Sequence, residues 1–268
     1  MRTLHPNWLI PNWPAPANVH AVFTSRAGGV SVPPYESLNL GTHVGDRPES
    51  VAANRAALQR AVGAQAVFLN QVHGSAVLAL DAATLDGLSA DACVTGQRQL
   101  ACTIMVADCL PVLLTTHDGR AVAAAHAGWR GLAGVGDAGG QGVLEAVHAA
   151  LLAQAGGAST VLAWLGPCIG PSAFEVGPEV KAAFEAVQPQ AAGCFVQSGA
   201  GRFLADLPAL ARLRLQALGV SQIDGNDGSA PWCTVGNPSR FFSHRRDAGV
   251  HGNGFGTTGR MAACIWLD

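Results

Sequence analysis

"DACVTGQRQLACTIMVADCLPVLLTTHDGRAVAAAHAGWRG", residues 91–131, is the stretch on which the fold turns. It divides into four apolar runs separated by turn signals. "DACVT" and "LACTIMVA" have the length and residue types of buried strands. "PVLLTT" and "RAVAAAHA" read as the arms of a hairpin closed by "HDG". After His126 the pattern breaks, and Gly128, Trp129, Arg130 and Gly131 end the strand in a Gly-rich turn. An imidazole thus sits at the tip of an apolar strand, with a guanidinium shortly after it.

Upstream, "HAVFTS" reads as a short strand followed by a loop rich in Gly and Pro. "GDRPESVAANRAALQRAVG" predicts a helix with Asp46 as N-cap, Pro48 and Glu49 in the first turn, and Gly63 at its end. Its Val51, Leu58 and Val62 share one face. "AVFLNQV" is strand-like, and His73 falls at its end. Downstream, "GGQGVLEAVHAALLAQAGG" holds a helix with Val143, Leu144, Val147 and Leu151 in one stripe. A strand at "TVLAWLG", helices near 178–188 and 208–218, and a closing strand at "RMAACIWL" complete the chain. Strands outnumber helices without regular alternation, which favours a mixed sheet covered by helices over a doubly wound array.

Composition sets outer bounds. With 268 residues, 49% hydrophobic and 13% charged, the chain can fill a sizeable core, and disorder is not expected. A net charge of −2 with no basic run argues against nucleic acid as a partner. Lys181 is the single lysine, so positive charge is almost all Arg, the side chain suited to bidentate contact with anions. The start, "MRTLHPNWLIPNWPAPANV", lacks the unbroken apolar stretch of a signal peptide, and no window approaches the ~20 apolar residues of a membrane helix. Seven scattered cysteines without a C-x-x-C pair point to a reduced, cytoplasmic chain.

Three residues at strand ends carry the candidate chemistry: His73 in "NQVHG", Cys109 in "ADCLPV" and His126 in "AAHAGWRG". A thiolate and two imidazoles suit Zn²⁺, and three protein ligands leave a fourth position open, as in catalytic sites. The same residues also fit a buried small thiol and two hydrogen-bonded imidazoles. Arg130 in "GWRG" and Arg26 in "FTSRAGGVS" lie in Gly-rich turns where an oxyanion such as phosphate can bind; a surface Arg covering Trp129 is the alternative. Asp91 and Asp108 either orient a ligating imidazole or cap a turn. Arg245 and Arg246 in "SHRRD" either close over an anion or form salt bridges. His43 is a reserve ligand, and His117 in the hairpin turn is expected to be solvated. The chain has no P-loop, no G-x-S-x-G elbow and no H-x-E…P-C-x-x-C deaminase signature. It has no H-x-H pair of the kind a multicopper cluster uses, and Met105, near Cys109, lies in an expected buried strand.

In order along the chain, "FTSRAGGVS", "NLGTHVGD", "NQVHG", "DACVT", "ADCLPVLL", "AAHAGWRG", "GPCIGPSAFEV" and "FFSHRRD…GRMAACIWL" resemble the YfiH-type family, also called the laccase-domain or polyphenol oxidase family. The resemblance runs from about residue 20 to the C-terminus. It implies an α+β fold: a single-domain α/β/β/α sandwich with mixed sheets, similar to cysteine-dependent deamidase toxins. It also implies that His73, Cys109 and His126 are the metal and catalytic residues; Cys168 is assigned no role. The implied activity is zinc-dependent phosphorolysis of purine nucleosides (adenosine, inosine, guanosine, methylthioadenosine) with adenosine deamination. Phosphate would lie near Arg130 and Arg26. Two alternatives stand beside it: a cysteine-dependent amide hydrolase editing a peptidoglycan precursor, and a copper-dependent polyphenol oxidase.

Overall fold

The computed structural model describes residues 4–136, 140–247 and 257–268. Its strands are β1 (Val19–Phe23), β2 (Gln65–Phe68), β3 (Val77–Ala79), β4 (Ala92–Thr95), β5 (Leu100–Val106), β6 (Leu110–Thr116), β7 (Val122–Ala127), β8 (Val161–Leu165), β9 (Glu175–Val176), β10 (Phe195–Gly199), β11 (Arg202–Ala205), β12 (Gln222–Gly225) and β13 (Met261–Leu267). Its helices are α1 (Pro48–Val62), α2 (Trp129–Ala133), α3 (Val143–Gln154), α4 (Pro178–Val187), α5 (Leu207–Ala217) and α6 (His244–Asp247).

The expected hairpin forms the centre of the larger sheet. β6 and β7 pair antiparallel from Leu110↔Ala127 to Thr115↔Val122. They lie inside a six-stranded sheet of order β12-β8-β6-β7-β4-β3. Side chains alternate across this sheet, as a period of two requires. Leu113, Val122 and Ala124 point toward a second, four-stranded sheet of order β1-β13-β5-β2, against Cys102, Ile104 and Ala263. Val112, Leu114, Ala123 and Ala125 point the other way, against Val143, Leu144, Val147 and Leu151 of α3 and Leu210 and Leu215 of α5. Both faces of β6 and β7 are therefore covered, which is why they read as continuous apolar runs. The outer face of the four-stranded sheet packs on Leu58 and Val62 of α1. The layers run α1, four strands, six strands, then α3 with α5: a mixed α+β sandwich.

Two features depart from the sequence expectation. The N-cap of α1 is Arg47 and not Asp46. Asp46 instead accepts hydrogen bonds from Ser31 Oγ at 2.6 Å and Asn39 Nδ2 at 2.9 Å, tying two loops together. The buried face of α1 also includes Asn54, whose amide binds the Val30 N–H and the Asn39 carbonyl, each at 2.9 Å. The second departure is an additional sheet, β10-β11-β9, together with the short strands β3 and β12. β10 is largely exposed and β9 has two residues, so neither carries a clear apolar alternation. Among the described residues no helix is long and apolar enough to cross a membrane.

Candidate active site

The hairpin register brings two of the three candidate residues together. Cys109 immediately precedes β6, and His126 pairs with Pro111 near the end of β7. His73 does not end a strand, because β2 stops at Phe68. It occupies a turn with φ of 63°, a left-handed conformation that is uncommon outside glycine.

Asp91, fully buried one residue ahead of β4, holds that turn in place. Its Oδ1 accepts from the His73 N–H at 2.9 Å, and its Oδ2 accepts from Val72 at 3.1 Å and Gly74 at 2.7 Å. Oδ1 also accepts from His126 Nδ1 at 2.8 Å. With the proton on Nδ1, the Nε2 lone pair of His126 is free to face the cluster. Cys109 Sγ lies 3.8 Å from His73 Nε2, and the two imidazoles meet edge to face with centroids 4.7 Å apart. One donor atom from each of the three residues lies within 4.8 Å of the others.

Gly128 is what allows this convergence. A Cβ there would stand 2.8 Å from His73 Cδ2 and 3.2 Å from Cys109 Sγ, so any side chain would push into the cluster. The donor set fits a divalent ion: two nitrogens and a sulfur, one imidazole already oriented by a carboxylate.

The charges of the cluster depend on one another. Burial pushes the Cys109 thiol up, but the charge of His126 and hydrogen bonds from both imidazoles outweigh it and bring the thiol down to about 6. Burial works against a charged His126, yet the neighbouring Cys109 and the hydrogen bond to Asp91 raise it to about 9. Asp91 is held below its ordinary value: burial opposes its charge, while His126 and the turn N–H groups prevail.

The cluster opens into a cavity of about 190 Å³ whose wall also includes His43, Gln71, Met105, His244 and Arg260. Gln71 is fixed by a reciprocal pair of 2.8 Å bonds to the backbone of Met105. Asp108, with φ of 88° between β5 and β6, touches neither imidazole of the cluster. It binds Thr234 Oγ1 at 2.5 Å, Ser243 Oγ at 3.1 Å and the Arg245 N–H at 2.6 Å, anchoring the segment that carries His244 to the wall.

The two arginines expected to meet an oxyanion lie off this wall. Arg26 donates from Nε to the Glu36 carbonyl at 2.9 Å and from Nη1 to Pro238 at 2.8 Å, and it covers Phe242. Arg130 is exposed and rests on Trp129, 4.5 Å from the ring centroid. Arg245 clamps the carbonyls of Ala173 and Glu175, and Arg246 binds Asp247 and the Thr234 carbonyl. His43 reaches the cavity but not the donor cluster. His117 is exposed, as expected. Cys168 is buried against Asn226, and burial raises its thiol well above the ordinary value. Sequence reasoning passed over Gln71, His244 and Arg260. The available signal was an arginine placed directly before the wholly apolar closing strand, where a charge is costly unless it has work to do.

Residues 20–268 match the family described as multi-copper polyphenol oxidoreductase laccase. The chain is 46% identical to purine nucleoside phosphorylase PA4543 of Pseudomonas aeruginosa, over 97% of this chain and 98% of that one. It is also 46% identical to purine nucleoside phosphorylase YfiH of Escherichia coli, with the same coverage. The crystal structure of Neisseria meningitidis protein NMB0706 superposes with a TM-score of 0.85 at 48% identity, covering 98% of this chain and 99% of that one. The motifs, the fold and these relatives agree, and the chain belongs to the YfiH-type, laccase-domain family.

Proposed function

We propose that this protein is a zinc-dependent purine nucleoside phosphorylase working at His73, Cys109 and His126, with adenosine, inosine, guanosine and methylthioadenosine as substrates. The observation that carries the reading is the convergence of three donors on one cavity, two of them governed by one buried carboxylate. The relatives named as purine nucleoside phosphorylases supply the reaction.

In phosphorolysis a phosphate oxygen forms a bond to ribose C1′ while the C1′–N9 bond breaks. The electron pair leaves with the purine, whose ring then takes a proton. A divalent ion held by His73, Cys109 and His126 would supply Lewis acidity at this point. The chain's own part is positional. Asp91 holds the backbone of His73 and the ring of His126, and Gln71 fixes the loop ahead of His73 to the end of β5. His244 lines the same wall. A cavity of about 190 Å³ is below the ~300 Å³ at which drug-sized pockets begin. It receives the reacting end, phosphate and ribose, while the base extends past the exposed His73 rim. Adenosine deamination, with water adding at C6 and ammonia leaving, is the expected side activity. Seven unpaired cysteines suit a cytoplasmic setting.

Incubation with inosine and phosphate should release hypoxanthine and ribose 1-phosphate in equal amounts. Absence of both from zinc-replete protein would overturn the reading. A second reading has its own support: a thiol brought down to about 6 beside an imidazole is what a cysteine amide hydrolase of the deamidase-toxin type needs. Alkylation separates the two. A zinc-bound thiolate reacts with iodoacetamide only after chelation, whereas a free nucleophile reacts at once. Copper suits the same donors, so metal analysis of protein grown without added copper decides whether oxidase chemistry belongs to the cell.

A further inference from the structure

Among the described residues, the cavity wall carries one arginine, Arg260. Arg214 reaches Glu145 at 3.2 Å, Arg55 reaches Asp86 at 3.1 Å, and Arg246 reaches Asp247 at 2.8 Å. Arg26 and Arg212 each divide their guanidinium between two carbonyls, and Arg240 rests on the ring of Phe241. Arg260 donates from Nη1 to the carbonyls of Thr258 at 2.9 Å and Gly259 at 3.3 Å. Among the described residues no carboxylate forms an ion pair with it. It nevertheless lines the same cavity as His73, Cys109 and His126.

Its position is built with some care. The Arg260 N–H donates to Asn39 Oδ1 at 2.9 Å, and its carbonyl accepts from Leu40 at 3.1 Å. Asn39 is in turn held by Asp46 and Asn54, so the loops and α1 jointly fix this residue. The side-chain stem crosses Gly41, where a Cβ would come within 2.8 Å of Arg260 Cγ. His43, two residues on, faces the cavity near both Arg260 and Arg55. Burial works against this guanidinium, and Cys109 and Asp108 offset it only through space, without a bond to it. The burial becomes favourable when a ligand supplies the anion, and a phosphate presents oxygens at the spacing of the guanidinium fork.

We propose that Arg260, with His43 beside it, forms the subsite for the orthophosphate that attacks ribose C1′. This rests on the phosphorolysis reading above. It places the oxyanion on the wall formed by the loop at 39–43 and the start of β13, and not beside Arg130 or Arg26.

The test combines phosphate binding with kinetics on the zinc-replete protein. Inorganic phosphate is titrated at constant ionic strength and followed by ³¹P line broadening, and inosine phosphorolysis is measured over a range of phosphate. Loss of charge-assisted hydrogen bonds in Arg260→Gln should raise both the phosphate dissociation constant and its KM by about 10- to 100-fold. The KM for inosine should stay within about twofold, and Arg260→Lys should recover part of the loss. Should Arg260→Gln fail to fold, Arg260→Lys and the exposed-site variant His43→Gln carry the same comparison, each with a smaller rise. Arg130→Gln serves as the control with unchanged phosphate KM. Active Arg260 variants with wild-type phosphate KM would remove the subsite and leave phosphorolysis standing. Wild-type protein that binds phosphate through Arg260 but cleaves no nucleoside would remove phosphorolysis and retain the subsite. Wild-type protein with neither property would remove both.

Discussion

Asp91 and Asp108 are both buried carboxylates next to strands of the central sheets, yet they do different work. Each oxygen of Asp91 receives two N–H groups: His73 and His126 on Oδ1, Val72 and Gly74 on Oδ2. Asp108 receives two hydroxyls, from Thr234 and Ser243, and one N–H, from Arg245. An N–H can only donate, whereas a hydroxyl donates or accepts as its neighbour requires. The surroundings of Asp91 therefore admit a carboxylate and nothing else. Those of Asp108 tolerate an amide. The first carboxylate sets the cluster; the second sets the wall that faces it.

Removing each group breaks or sharpens this contrast. Asp91→Ala should have the largest effect, because it strands buried donors around a raised His126. A loss of about 3–5 kcal/mol is expected in denaturant unfolding, together with loss of affinity for added zinc. Asp91→Asn should be nearly as harmful. In either amide orientation the NH₂ opposes at least one backbone N–H, and affinity for added zinc should fall by about 10- to 100-fold in competition with a chelator.

Gly128→Ala comes next. Its methyl would enter the space between His73 and Cys109, for about 1–3 kcal/mol of strain and a weaker zinc site. Asp108→Asn should cost least, about 1 kcal/mol or less. The amide oxygen can keep Arg245 and Ser243 while its NH₂ donates to Thr234. Affinity for added zinc should remain at the wild-type level. If the two Asn variants lose zinc equally, the distinction between cluster and wall is wrong.

The same distinction separates what was legible in the sequence from what was not. The hairpin was legible because its arms are continuous apolar runs joined by the turn "HDG"; its register alone places Cys109 beside His126. The helices α1 and α3 announced themselves through apolar stripes. His73 could be named from its motif, but not located. Its left-handed turn exists because a carboxylate 18 residues later holds it, a long-range dependence without local trace. Arg260 was missed for the same reason: its neighbours are Asn39, Leu40 and Gly41, 221 residues away in the case of Asn39. Arg26 and Arg130 were locally suggestive; Arg26 is held by the carbonyls of Glu36 and Pro238, and Arg130 lies exposed against its neighbour Trp129.

The smallest expected effect is also the most specific, and it belongs to the metal-free protein. Cys109 is brought down from 9.0 to about 6, so its share of folding stability is complete above 9.0 and lost as pH falls through 6. His126 is raised from 6.5 to about 9, so its share is complete below 6.5 and lost as pH rises through 9. Across that window the two shares offset each other, because the pair forms by moving one proton from Cys109 to His126; what peaks between about 6 and about 9 is the population of the thiolate–imidazolium pair in the folded, chelated protein. Thiolate ultraviolet absorbance for the acid limb and the His126 ring proton shifts for the alkaline limb, plotted against pH with Cys109→Ser as the blank, should trace that bell. Because Asp91 helps hold the proton on His126, Asp91→Asn should pull in the alkaline limb of the bell. Asp108→Asn, which touches neither partner, should leave both limbs where they are. A bell that narrows equally in the two variants would mean that the buried charge of Asp108 reaches the cluster through the turn before Cys109, and that wall and cluster titrate as one unit.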